Sequence, residues 1–161
     1  MIRLRDVWAG AATEPDRLER VRADGIAARY LVGSGDVLFR SRGDQNTATA
    51  LDERFREPAI ALHPLFILRP KPRTVLPEFL AWAINHPAAQ RQFDRVARGT
   101  NMRMVLRPGL ERLQVPVPSI QTQQRIVAVD ALAFRERTLS IRAADRRRLL
   151  TARLLGEVAD A

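Results

Sequence analysis

Hydrophobic and polar positions follow different rhythms along this chain, and each rhythm predicts its own element. Over residues 2–7, Ile2, Leu4 and Val7 alternate with Arg3 and Arg5, the period of a half-buried strand. Residues 9–28 keep no period and include Pro15 and Gly25, which predicts a loop with at most one helical turn. Gly33-Ser34-Gly35-Asp36 is turn punctuation. Val37, Leu38 and Phe39 then make a short apolar run, which predicts a buried strand, leading into Arg40-Ser41-Arg42-Gly43. Residues 47–57 suggest a connection, and residues 59–68 (AIALHPLFIL) a second apolar run. Pro64 lies inside that run and predicts a break or an edge strand, because proline donates no ladder hydrogen bond. Arg69-Pro70-Lys71-Pro72-Arg73 is too proline-rich to be regular.

Beyond residue 76 the period lengthens to that of helices. Pro77 suits a first helical turn, and Phe79, Leu80, Trp82, Ala83 and Ile84 give a broad apolar face that Asn85-His86-Pro87 ends. A second helix is expected over about residues 88–98, burying Phe93 and Val96, with Gly99 as its C′ residue. After a polar link and a short segment near residues 108–111, Leu113, Val115 and Val117 predict a last strand, which Pro116 and Pro118 stop. Ser119 can cap a new helix, and neither proline nor glycine follows until Gly156. Such a helix reaches about 55–60 Å at roughly 1.5 Å per residue.

On that helix Val129, Leu132, Glu136, Leu139, Ala143, Arg146 and Leu150 share one stripe, which Ile126, Ala133, Leu149 and Leu154 broaden. Spacings alternating between three and four suit a coiled-coil seam. Glu136 and Arg146 interrupt it, and they meet in a self-paired antiparallel dimer. The expectation is an α+β domain over residues 1–118, with a small irregular sheet and a helical hairpin. A dimerisation or spacer helix over residues 119–161 follows, with Ile126, Val129, Leu132, Leu139, Leu150 and Leu154 as the pairing positions.

Composition narrows the function. With 46% hydrophobic residues over 161 positions, one domain with a real core is expected. No cysteine is present, which excludes disulfides, thiolate metal sites and cysteine nucleophiles. The N-terminal residues have no apolar stretch of signal-peptide length, and no run of about 18 apolar residues occurs, so a soluble cytoplasmic protein is expected. Net charge is +9, and all but one of the 27 basic residues are arginine, Lys71 being the exception. Arginine forks match phosphate oxygens and guanine edges, so a polyanionic partner is expected. Charge also clusters, with six arginines over residues 91–112 against only Asp94 and Glu111.

Catalytic signatures are missing. Gly33-Ser34-Gly35 lacks the Gly-Lys-Ser/Thr of a phosphate-binding loop, and Asn85-His86-Pro87-Ala88 is no Asn/Asp-Pro-Pro-aromatic tetrapeptide. His63 and His86 lie singly among apolar or turn residues, as structural histidines do. Two stretches have base- and phosphate-reading chemistry. Arg40, Arg42, Gln45, Asn46 and Thr47 lie at a strand end, and arginine matches guanine while glutamine and asparagine match adenine. The same residues suit a surface turn in which Arg40 or Arg42 pairs with Asp44. Arg98, Thr100, Asn101 and Arg103 surround Gly99, where backbone can approach a phosphate. Helix capping by Gly99 explains that stretch as well. Arg146-Arg147-Arg148 fits a solvated face or a DNA backbone.

GDVLFRSRG (residues 35–43), LPEFLAWAINHPAAQRQFDRVARGT (residues 76–100) and LQVPVPSIQTQQRIV (residues 113–127) occur in this order. A strand, a proline break, a Gln three to five residues on and a long helix resemble the end of a target recognition domain. Such domains belong to the specificity subunits of type I restriction–modification systems. The resemblance covers most of the chain from about Asp36. It departs in having one recognition domain and one long helix where a full subunit has two, in beginning within what looks like its first strand, and in Ser119 where a second proline is common. The resemblance implies a non-catalytic, half-subunit-like component without cofactors. Its globular part would read a half-site of double-stranded DNA. Its helix would act as a ruler and dock for the methyltransferase and restriction subunits, and the chain would pair with itself. Competing expectations are a truncated DNA-modifying enzyme and an interaction protein or decayed fragment that binds no DNA.

Overall fold

Val37, Leu38 and Phe39 are fully buried because their strand has a hydrophobic cluster on each face. In the computed structural model, which describes residues 1–7, 13–22, 24–71, 73–97 and 103–159, this strand, β2 (Val37–Arg40), is the centre of a three-stranded antiparallel sheet. Its neighbours are β3 (Ala48–Ala50) and β5 (Leu65–Leu68), in the order β3-β2-β5. Leu38 enters one cluster with Ile2, Val7, Val32, Leu51, Phe55, Ala61 and Leu65. Val37 and Phe39 enter the other with Ala81, Ile84, Phe93 and Val105. Phe39 stacks on Phe66 at 6.3 Å and lies tilted against Phe93 at 5.3 Å. The uninterrupted apolar run thus has its cause in two-sided burial.

A second sheet pairs β1 (Leu31–Val32) with β4 (Ala59–Ile60). Pro64 falls in the gap between β4 and β5, and β5 is an edge strand. Helices α1 (Pro77–Asn85) and α2 (Pro87–Val96) each begin on proline at the first helical position. A short α3 (Arg107–Glu111) follows. Helix α4 runs from Ile120 to Ala159, about 60 Å at roughly 1.5 Å per residue. Ser119 caps it, its Oγ accepting from the Thr122 N–H at 3.3 Å. Residues Met1–Val127 form one compact unit and Ala128–Ala161 another. The first unit extends past residue 118 because the opening turns of α4 pack into it, with Gln123 fully buried and Ile126 half-buried.

Three expected elements differ. Residues 2–7 make no strand: Ile2 forms a single bridge to Ala61 and Leu4–Asp6 is a 3-10 turn, closed when the Asp6 carboxylate accepts the Arg3 N–H at 2.8 Å. The expected connection over residues 47–57 contains β3. The expected strand over residues 113–117 has no ladder, because both backbone groups of Gln114 bond the side-chain amide of Gln92, at 2.9 and 3.1 Å.

Candidate functional site

The loop after β2 and the segment leading into α3 meet edge to edge. Arg42 and Met104 form an antiparallel bridge. The Val105 N–H donates to the Ser41 carbonyl at 2.8 Å and the Gly43 N–H to the Arg103 carbonyl at 3.0 Å. Residues 41–43 and 103–105, some 60 positions apart, are therefore held side by side. Gly43 is required for the turn. Its φ is +131°, a region that side-chain-bearing residues rarely adopt. The Arg40 guanidinium also lies over it, so a Cβ would come within 2.7 Å of an Arg40 nitrogen. Arg40 Nε donates to the Arg42 carbonyl at 3.2 Å, which holds the half-buried guanidinium across the turn.

Of the predicted base readers in this loop, Arg42 and Gln45 are exposed. An Arg42 nitrogen also lies 3.5 Å from the Met104 sulfur. Asn46 and Thr47 correct the expectation, since both are buried. Asn46 Nδ2 donates to the carbonyls of Ser41 at 2.9 Å and Arg40 at 3.2 Å. Its side chain therefore closes the loop from inside and has no edge to offer a base. Arg103 also has a structural task. Its guanidinium pairs with Asp94 and donates to the Gln90 carbonyl at 3.3 Å, so its charge is neutralised in place. Arg98, Thr100 and Asn101, with Gly99 and Met102, lie outside the described residues.

Gln90 links these parts, its Nε2 donating to the Asn46 carbonyl at 2.9 Å and the Ile84 carbonyl at 2.8 Å. Asn85 does similar work on β3, accepting from the Ala48 N–H and donating to its carbonyl, both at 2.8 Å. The loop is thus fixed from beneath by α1 and α2 and presents Arg42, Asp44 and Gln45 outward. Nothing in the sequence period marks Asn85 or Gln90, because their partners are backbone groups about 40 residues away. Among the described residues no cluster of His, Asp and Glu is placed to hold a metal ion, and no helix is long and apolar enough to cross a membrane.

In the second unit, Val129, Leu132, Leu139, Leu150 and Leu154 are 55–67% exposed. The stripe is real and, among the described residues, uncovered. Ile126 differs: it belongs to the first unit and lines a cavity of about 270 Å³ with Phe79, Trp82 and Pro116. It packs inward and is no free pairing position. No protein-family model matches the chain, and no curated protein matches it as a relative.

Proposed function

We propose that this chain is a sequence-specific DNA-binding module of the type I specificity-subunit kind, with no catalysis of its own. One observation carries the reading: the Arg42–Met104 bridge, with Asn46 and Gln90 beneath, fixes the loop that presents Arg42 and Gln45 to solvent. Arg42 and Gln45 are its base readers, and the exposed Arg91, Arg95 and Arg112 supply backbone contacts. The target-recognition-domain fold, the methyltransferase and restriction subunits as partners, and self-pairing through the uncovered stripe of α4 belong to the same reading.

Fluorescence anisotropy with duplex DNA tests it. If about three phosphates are neutralised, affinity falls about 40-fold between 50 and 200 mM salt. Sequence selection from a random library is expected to return a defined site for the native chain. Arg42→Ala and Gln45→Ala each relax single base positions, by about 1–3 kcal/mol per lost bidentate contact. Salt-insensitive binding, no binding, or an unchanged site in both variants refutes the proposal.

A further inference from the structure

The central sheet has two edges, and the fold treats them differently. On the β3 side the side-chain amide of Asn85 takes both the N–H and the C=O of Ala48 at 2.8 Å. On the β5 side the ladder is open. The Arg40 N–H donates to Thr47 and the Leu51 N–H to Asp36, at 2.7 and 2.9 Å. Asp36, Leu38 and Arg40 thus bond toward β3, and Val37 and Phe39 toward β5. Their β5 partners are Leu68 and Phe66, so the backbones of Leu65 and Ile67 point away from the sheet. The Leu65 N–H closes a turn onto Leu62 at 2.9 Å. The N–H and C=O of Ile67 meet no partner among the described residues.

This edge faces a groove of about 660 Å³, within the range of ligand clefts. Side chains of a strand laid on β5 would point alternately to the two faces of the sheet. One wall is apolar, built from Leu80, Leu110 and Leu113, which pack on the cluster around Phe39. The other holds Arg29, Tyr30 and Ala61. Arg69 and Arg107 add to the rim, where Arg69 pairs with Asp36 at 3.3 Å and Arg107 with Glu111 at 2.7 Å; Arg29 lies over the Tyr30 ring at 4.9 Å and, among the described residues, meets no carboxylate.

We infer that the β5 edge is a peptide-docking site: an extended segment of a partner protein, alternating apolar and acidic residues, adds as a strand beside Leu65–Leu68. Backbone bonds to Ile67 supply register, the leucine wall takes the apolar residues, and Arg29 on the opposite wall takes the carboxylates that face it. This site lies on a different edge from the proposed DNA surface, and its test is independent of DNA.

The probe is a fluorescein-labelled octapeptide of alternating valine and aspartate, titrated into the full chain. Saturable binding is expected, with a block-sequence peptide of equal composition at least tenfold weaker. Ile67→Pro removes the outward N–H at an edge position that tolerates proline, along with a side chain that packs on the Leu38 cluster, and is expected to lower affinity at least tenfold. Arg29→Glu is expected to lower it several-fold. Amide hydrogen exchange on the native chain covers the case in which the proline variant does not fold. There the Ile67 amide exchanges freely alone and becomes protected by the peptide. No saturable binding at millimolar peptide, or binding unchanged in Ile67→Pro, overturns the inference. So does concentration-dependent protection of Ile67 without peptide, which assigns the edge to a second copy.

Discussion

Gln123→Met is the sharpest test of how the first unit closes. Gln123 is fully buried. Its Oε1 accepts from the Leu76 N–H at 2.9 Å, and its Nε2 donates to the carbonyls of Thr74 at 3.0 Å and Pro118 at 2.8 Å. Leu76 is the N-cap residue of α1, and no side chain caps that helix. One amide therefore ties together the approach to α1, the proline break and the first turns of α4. Methionine has nearly the same length and volume, so substitution leaves little cavity and isolates the polar loss.

Each net hydrogen bond contributes about 0.5–1.5 kcal/mol, and a buried group left unpaired costs about 1–3 kcal/mol. Three groups are orphaned, and some gain back water as the segment loosens. A destabilisation of about 3–5 kcal/mol follows. At roughly 2–4 °C per kcal/mol for a chain of this size, Tm should fall by about 6–20 °C, read by circular dichroism and by urea unfolding. A fall under about 3 °C with an unchanged urea slope would refute the reasoning, because the amide would then be replaceable.

Asn46→Ala should cost about 2–3 kcal/mol by freeing two loop carbonyls, while the DNA site selected by the remaining folded protein stays the same; a changed site would restore Asn46 as a base reader. Gly43→Ala should cost about 1–3 kcal/mol from its backbone conformation and, by displacing the Arg40 guanidinium, weaken DNA binding beyond what the stability loss explains; equal binding would separate that turn from recognition. Asp52 is held below the usual carboxylate range, mainly by its side-chain hydrogen bonds with Arg54. A lowered folded-state value stabilises above the unfolded carboxylate range and fades as pH falls through the folded value. Asp52→Asn should therefore cost at most about 0.5 kcal/mol at pH 7 in urea unfolding, since the pair is exposed, and the cost should shrink as pH falls below the usual carboxylate range. Glu136→Arg and Arg146→Glu should each dissociate the proposed antiparallel dimer, while the double exchange restores it in sedimentation; a monomeric native chain at tens of micromolar would refute self-pairing.

Helices were legible because their signals are local. Pro77 and Ser119 begin α1 and α4 as expected, whereas Pro87, expected to end α1, also opens α2, and Val96, expected in the core, is the exposed last residue of α2. Strand β2 was legible from its apolar run. Strand β3 was not, because Ala48, Thr49 and Ala50 carry no large apolar side chain, and its edge is held by Asn85 from α1. Residues 2–7 show the opposite failure. Their alternation suits a strand, yet the Asp6 carboxylate offers the chain a tighter turn. At the candidate site the structure leaves Arg42 and Gln45 on the surface and buries Asn46 and Thr47. Asn46 and Thr47 have base-reading chemistry, but burial depends on α2 and Gln90, which lie some 44 residues on.

Two of the misread segments, β3 and residues 113–117, share one physical feature. A carboxamide carries a donor and an acceptor side by side, the same pair a neighbouring strand would present. Asn85 offers that pair to Ala48, and Gln92 offers it to Gln114, satisfying both the N–H and the C=O in each case. A sheet of strands two to four residues long can thus end on a side chain where a longer sheet would need another strand. Composition scales count these amides as surface residues, so an edge closed in this way looks open from sequence. The converse identifies Ile67: its edge receives no amide, although the leucine wall beside it is apolar. Introducing an amide there should imitate the β3 closure. Leu113→Gln, if its amide reaches Ile67, would slow exchange of the Ile67 N–H in the free chain and compete with added peptide.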